Sequence, residues 1–192
     1  MKIVQYPHPS LRHKARPLTS IDREVHLHAG RMLELMYEAK GLGLAATQVV
    51  LPYQLLVMNP TGDPEQREHE QVYINPVIVE RKGSVEAEEG CLSLPGLFQK
   101  VRRAKTVKVY AYNLKGEPLE ILASELPARL WQHEVDHLHG LLFIDKLGPI
   151  ARLASRGPIK DFEREFRRAQ ERGEVPPNAE LEKLLATLSA GV

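Results

Sequence analysis

The sequence predicts an α+β fold in which small antiparallel sheets surround a central helix and a helical tail follows. Segments typical of strands lie together in the middle of the chain, and segments with helical periodicity flank them. Strands and helices do not alternate, as they would in a parallel α/β sheet. The 192 residues suffice for one well-packed core. We expect a main domain over residues 1–148 and a helical extension over residues 149–192, packed on that domain or projecting from it.

The N-terminal part of the chain predicts an irregular arm and one amphipathic helix. Residues 1–18 contain three prolines and indicate no regular element. Apolar side chains then recur at helical spacing, and Thr19 and Ser20 are available as caps. The helix is expected to end near Lys40, because two glycines follow almost at once.

The middle of the chain predicts four strands, over residues 53–58, 71–79, 105–112 and 119–122. The third of them alternates apolar and polar side chains with the period of a half-buried strand. Residues 59–70 are charged and contain prolines and a glycine, so they are expected to form a solvent loop. Residues 113–116 are typical of a hairpin turn.

Helical periodicity returns over residues 125–139. Ser124 is positioned to cap this helix and Gly140 to end it. Two further helices are predicted in the tail, over residues 158–172 and 178–188, with a glycine and two prolines between them.

Composition and charge exclude several classes of function. Lys and Arg number 26 and Asp and Glu 25, so no strong field attracts nucleic acid or a membrane. No apolar run approaches the roughly 18 residues of a spanning helix. Cys91 is the single cysteine, which excludes an internal disulfide. The N-terminus lacks the layout of a secretion signal. We therefore expect a cytoplasmic protein with no membrane partner and no sequence-specific nucleic-acid partner.

The strongest chemical signal is the run His-Glu-Val-Asp-His over residues 133–137, inside a predicted helix. His133 and His137 are four residues apart and share one helical face, so both imidazoles can bind one metal ion. Glu134 lies next to the first ligand and can act on a water without binding the metal itself. Two solvated histidines are the alternative. The flanking side chains are apolar, however, and burying polar groups without partners is costly.

Cys91 is the expected third ligand and lies in the segment Glu-Glu-Gly-Cys-Leu-Ser-Leu-Pro over residues 88–95. A lone cysteine is usually a small core residue. This one follows a glycine and two carboxylates in a segment that indicates a loop. A thiolate, two imidazoles and a water make a four-coordinate open site. His139 is expected to point away from the ligand face, and Glu89 is expected to pair with Arg103.

A third segment, Gly-Leu-Gly-Leu-Ala-Ala-Thr-Gln over residues 41–48, combines two glycines with an amide. The glycines allow a ligand to approach the backbone closely. Gln48 offers a donor that can stabilise an oxyanion. The segment lacks the third glycine of a dinucleotide loop, and taken alone it is typical of a turn that ends a helix.

Taken together and in this order, the three segments resemble the peptide deformylase family, whose members carry GxGxAAxQ, EGCLS and QHExDHL. The similarity covers about residues 3–148 and includes the opening Tyr-Pro-His-Pro-Ser-Leu-Arg over residues 6–12. Three motifs in one order are far more specific than any one alone. Two features depart from the family: residues 96–99 lack the charges of many bacterial members, and the tail is long and broken.

The resemblance implies a metal-dependent hydrolase that removes the formyl group from the N-terminal formyl-methionine of new polypeptides and releases formate. The implied metal ligands are Cys91, His133 and His137. The family favours Fe²⁺, and Zn²⁺, Ni²⁺ or Co²⁺ can replace it. Glu134 is the implied general acid and base. Gln48 and the backbone N–H of Leu92 are the implied oxyanion donors.

Helical spacing predicts where the methionine side chain of such a substrate would bind. Leu126 and Leu130 precede His133 by seven and three residues, so they share its helical face and can form an apolar wall for methionine. Gly43 is expected to contact the substrate as well. The implied partners are formyl-methionyl nascent peptides and the ribosome surface, on which some members dock through a C-terminal helix.

Two other functions remain open on the residues alone. An HExxH zinc endopeptidase would use a His or Glu as the third ligand, so Cys91→Ser would leave its metal in place. A non-catalytic binding module with a structural Cys/His site would need a fourth protein ligand, whereas three are in register. Formate release, compared with cleavage of an internal peptide bond, distinguishes these functions.

Overall fold

The computed structural model describes residues 1–190, which form four α-helices and two antiparallel sheets. The helices α1 to α4 span Arg23–Glu38, Glu125–Leu138, Pro149–Glu171 and Asn178–Ala190. The strands β1 to β7 span Gly43–Ala45, Leu55–Met58, Gln71–Lys82, Val85–Cys91, Leu94–Arg103, Thr106–Tyr112 and Pro118–Ser124. The predicted α+β class is confirmed.

The larger sheet carries the helix that bears the histidines. Its strand order is β1-β2-β3-β6-β7, and every neighbouring pair is antiparallel. Val107 and Val109 alternate with polar residues in β6, and they are buried in one cluster with Trp131 and Val135 of α2. The ring of Tyr73 packs 4.4 Å from that of Trp131, centre to centre. Helix α2 therefore lies buried across one face of the sheet.

The start of α1 differs in detail from the prediction. Asp22 caps the helix, rather than Thr19 or Ser20: its carboxylate accepts the backbone N–H of Val25 at 3.0 Å. A carboxylate is an equally good cap and also suits the positive end of the helix dipole. After α1 the chain forms β1 and then a 3₁₀ turn over Ala46–Val49. Taken alone, the sequence of this segment is typical only of a turn that ends a helix.

The β4–β5 hairpin was not predicted. Cys91 was expected in a loop, but it ends β4 and faces Leu94 at the start of β5. β4 is rich in glutamate and so has low strand propensity. Pairing with β5 stabilises β4 despite this composition, because acidic residues of β4 lie opposite basic residues of β5. Glu86, for example, lies opposite Arg102.

The tail folds as two helices, but the first begins earlier than predicted, at Pro149 rather than residue 158. Pro158 lies inside the helix on its exposed side. A proline there removes one backbone hydrogen bond without ending the helix. α4 returns to the N-terminal arm, where Arg16 donates to the carbonyl of Ser189 at 3.0 Å.

The domain boundary predicted at residue 148 stays a prediction. Among the described residues, none of the helices has the length and apolar character needed to span a bilayer.

His8 joins the N-terminal arm to α3 and is expected to make stability depend on pH. Its ring is buried, lies edge-on 6.2 Å from that of Phe166, and accepts the backbone N–H of Ser10 on Nδ1. Burial lowers the pKa of His8 to about 4. An exposed imidazole has a pKa of about 6.5. Between these pH values the His8 imidazole binds a proton in the unfolded chain but not in the folded chain.

The free energy of unfolding should therefore fall as the pH is lowered from about 6.5 to about 4. His8→Gln should weaken this dependence, as denaturant titrations across the range would measure. His26→Gln, on the exposed side of α1, is the matched control. An unchanged pH dependence in His8→Gln would contradict the assignment.

Candidate metal centre

Helix α2 presents the two predicted histidine ligands on one face. The Nε2 atoms of His133 and His137 are 3.2 Å apart, and both side chains are buried. Burial and the neighbouring His133 lower the pKa of His137 well below its usual value. The His137 imidazole is therefore neutral, which is the form that binds a metal.

Cys91 reaches the same point from the end of β4. Its Sγ lies 3.2 Å from Nε2 of His137, and the three ligand atoms of Cys91, His133 and His137 all lie within 4.8 Å of one another. Donors about 2.0–2.3 Å from one ion, at tetrahedral angles, lie roughly 3.3–3.6 Å apart. The three residues thus fit one metal ion. Within the described part of the chain the cluster has these three donors, so a fourth position is available to water or substrate.

Glu89 orients His133 and is itself held by Arg103. Nδ1 of His133 lies 2.6 Å from Oε1 of Glu89, and Arg103 donates to the two Glu89 oxygens at 2.6 and 3.1 Å. The predicted Glu89–Arg103 pair is confirmed. Burial alone would raise the pKa of Glu89, but hydrogen bonds from His133 and Arg103 outweigh it and lower the pKa to about 2. The ionised carboxylate directs the other ring nitrogen of His133 toward the cluster.

Asp136 extends this network and was not predicted. It accepts a hydrogen bond from Arg103 at 2.5 Å, so the buried Arg103 lies between two partly buried carboxylates. Its position inside the His-Glu-Val-Asp-His run could have indicated that Asp136 belongs to the network. His139 does not belong to the network, as expected. Its side chain is exposed and forms a hydrogen bond with the carbonyl of Val135.

Arg103→Ala is expected to weaken metal binding by about 10–100-fold, because Glu89 would lose the partner that holds it against His133. Removing one member of a buried ion pair also costs about 3–5 kcal/mol of stability. Arg103→Lys keeps the charge and is the variant to use if the alanine variant does not fold. Competition with a chelator measures the affinity, and Arg102→Ala, exposed on the same strand, is the control. Unchanged affinity in folded Arg103→Ala would rule out this positioning role, and so would unchanged affinity in an Arg103→Lys variant that no longer pairs with Glu89.

Glu134 lies beside the cluster but is not one of its donors. Its side chain is 2% exposed, and its Oε2 has no hydrogen-bond partner among the described residues. Burial raises the pKa of Glu134 to about 7. The other oxygen lies against Gly43, where a Cβ would come within 2.7 Å of it. A glycine at position 43 therefore leaves room for the carboxylate.

Gln48 directs its amide toward the sulfur of Cys91. Its Oε1 accepts the N–H of Ala45 at 2.8 Å, and its Nε2 donates to Oγ of Ser93 at 3.2 Å and lies 3.6 Å from Sγ of Cys91. The side chain is 1% exposed, so its orientation is set by these contacts. Leu92 follows Cys91 directly, in the turn between β4 and β5.

A cleft of about 710 Å³ lies beside the cluster. The predicted substrate residues that line it are Gly43, Leu126 and Leu130. Arg129 and Phe98 also line it and were not predicted. Because Arg129 precedes His133 by one helical turn, its place on the face of the helix that lines the cleft was predictable from the sequence. Phe98 belongs to the segment that departs from the family pattern, and its ring would lie 2.5 Å from a Cβ at Gly90.

Comparison with known proteins gives one consistent result at the level of sequence. The sequence model of the polypeptide deformylase family matches residues 1–153. A peptide deformylase of Rhodopirellula baltica is 40% identical over 181 residues, which cover 94% of this chain and 90% of that protein. One from Neisseria gonorrhoeae is 44% identical over 150 residues, which cover 78% and 88% of the two chains. The Rhodopirellula alignment therefore includes most of the tail.

Solved structures agree with the sequence comparison. The crystal structure of peptide deformylase 1B from Arabidopsis thaliana, in complex with an inhibitor, superposes with a TM-score of 0.84 at 38% identity, covering 92% of this chain and 96% of that one. The Thermotoga maritima peptide deformylase gives a TM-score of 0.72 at 38% identity, covering 77% and 97%.

Proposed function

The chain belongs to the polypeptide deformylase family, and we propose that Cys91, His133 and His137 hold its divalent metal ion while Glu134 transfers the proton. The protein is a metal-dependent hydrolase that removes the N-formyl group from the N-terminal formyl-methionine of new polypeptides. The observation that carries the residue assignment is the cluster of one thiol and two imidazoles, whose ligand atoms lie within 4.8 Å of one another.

The donor set favours this function over the two alternatives. The third donor in the cluster is a cysteine rather than the His or Glu of the alternative zinc endopeptidase. A structural site would be closed by a fourth protein ligand, and the cluster has three among the described residues. When bound, the divalent ion acts as a Lewis acid and lowers the pKa of water. We propose Fe²⁺ as the native ion, although a thiolate with two imidazoles also accommodates Zn²⁺, Ni²⁺ and Co²⁺.

Glu134 is proposed to move the proton during the reaction. A carboxyl group with a pKa of about 7 can accept a proton from the attacking water near neutral pH and then return it to the leaving amine. The Oε2 atom, which lacks a partner among the described residues, is available for both transfers. The C–N bond of the formamide breaks, and the products are formate and a free α-amino group.

The remaining roles concern the formyl oxygen and the methionine side chain. Nε2 of Gln48 and the N–H of Leu92 stabilise the negative charge that develops on the formyl oxygen. Leu126 and Leu130 pack against the methionine side chain, whose flexible thioether adapts to an apolar wall. Gly43 admits the substrate close to the backbone.

We also propose a cytoplasmic location and contact with the ribosome surface, where formyl-methionyl chains emerge. Residues 151–175 contain seven Lys and Arg against five Asp and Glu, a net charge of +2. Several of these arginines are exposed along α3, which supports docking on an anionic surface.

The function is tested by incubating anaerobically prepared protein with a formyl-methionyl tripeptide and measuring formate, free amine and bound metal together. Formate release, its loss on chelation and its return with Fe²⁺ are expected. Cleavage of an internal peptide bond instead would indicate the endopeptidase. Cys91→Ser should lose the metal, and retention of full metal content in that variant would remove Cys91 from the ligand set.

A further inference from the structure

A second cavity, of about 1160 Å³, lies between the N-terminal arm, the start of β5 and the α3–α4 tail. We call it the tail groove. Its walls are largely apolar and include Val50, Leu97, Phe162, Phe166, Val175 and Leu184. The cavity exceeds the roughly 300–1,000 Å³ that is usual for small-molecule sites. A groove of this size can hold several side chains of a polypeptide segment.

The tail groove adjoins the catalytic cleft. Ile3, Gln5, Pro95 and Gly96 line both cavities. The arm that contributes two of these residues is bonded to the metal-site segments, since the N–H of Val4 donates to the carbonyl of Gln48 at 2.9 Å. The two cavities therefore meet at these four residues, on the side of the cleft that the N-terminal arm forms.

The acidic side chains that line the groove are paired with arginines, and Lys2 also lines it. Glu165 and Glu174 line the groove, but Arg172 pairs with them at 3.1 and 2.7 Å. Asp161 also lines it and pairs with Arg164. Because these acids are compensated, the groove discriminates mainly by burying apolar surface.

We propose that the tail groove binds an apolar stretch of the nascent polypeptide a few residues downstream of formyl-methionine. The inference rests on the proposed function, because it requires the formyl end to lie in the catalytic cleft. An unfolded nascent chain exposes apolar side chains, and an extended chain advances about 3.3–3.6 Å per residue. Downstream side chains thus cross the shared rim while the formyl group is at the metal cluster.

The expected kinetic signature is a lower KM with an unchanged kcat. Contacts remote from the formyl group are the same in the ground state and in the transition state, and such uniform binding lowers KM alone. Burial of one large apolar side chain supports an effect of about tenfold. A purely structural role of the tail would not produce this dependence on the substrate's length and composition.

The test uses formyl-methionyl peptides of about three to about ten residues, polar throughout except for one phenylalanine scanned along the downstream positions. Wild type is compared with Leu184→Asp, in the groove, and with Leu153→Asp, outside it on α3. These side chains are 46% and 62% exposed, so both variants should fold. KM should fall about tenfold when the phenylalanine reaches the groove, in wild type and Leu153→Asp but not in Leu184→Asp.

A photoreactive phenylalanine at the same position should cross-link to residues 158–184. Length-independent KM values, a gain that survives in Leu184→Asp, or cross-links confined to the cleft would overturn the tail groove while leaving the deformylase function intact. Absence of formate release from even the shortest peptide by metal-loaded wild type would instead overturn the proposed function, and this inference with it.

Discussion

Glu134→Ala is expected to lower kcat by about 10²–10⁴-fold, the usual contribution of a positioned acid and base, while the bound metal is retained. Both parts of the expectation have a structural reason. Glu134 is not among the three clustered donors, so its removal leaves the metal ligands in place. Its Oε2 lacks a partner among the described residues, and burial raises the pKa of the carboxyl group to about 7. The group is thus available for proton transfer near neutral pH.

Metal content and formate release should be measured on one batch of each protein. Glu134→Gln keeps the volume of the side chain and removes only its ability to take a proton, so it should match the alanine variant. Glu125→Gln, exposed at the start of the same helix, should behave as wild type. Full activity in metal-loaded Glu134→Ala would exclude the proposed mechanism. Loss of the metal would instead make Glu134 a ligand or a support for one.

Gln48→Ala is expected to lower kcat by about 10²–10³-fold, the effect of losing one oxyanion donor, again with the metal retained. The amide is buried and directed at the cluster by its bonds to Ala45 and Ser93. The charge on the formyl oxygen develops during the reaction, so losing this donor should change kcat more than KM.

Gln48→Glu separates this role from a structural one. It keeps the oxygen that accepts the N–H of Ala45 and loses the N–H₂ donor, so the local turn is preserved while the oxyanion donor is absent. Gln54→Ala, outside the residues that line the cleft, is the control. An unchanged kcat in metal-loaded Gln48→Glu would remove Gln48 from the oxyanion site.

Some of the fold was predictable because the signals are local. The helix over residues 125–139 and the strand over residues 105–112 were predicted from periodicity and lie within a residue of those positions. The β4–β5 hairpin was not predicted because β4 has the composition of a charged loop. Its strand character comes from cross-strand partners such as Arg102, which no local pattern reveals.

The sequence by itself determined the pair of imidazoles, because residues four apart on a helix must share a face whatever surrounds them. It also determined the family, through three motifs in one order. Only the tertiary structure decided how Cys91 reaches that pair, how Asp136 and Glu89 enclose Arg103, and how the tail forms a groove next to the cleft. These arrangements join residues far apart in the chain, and their geometry depends on the packing of sheets and helices rather than on local periodicity.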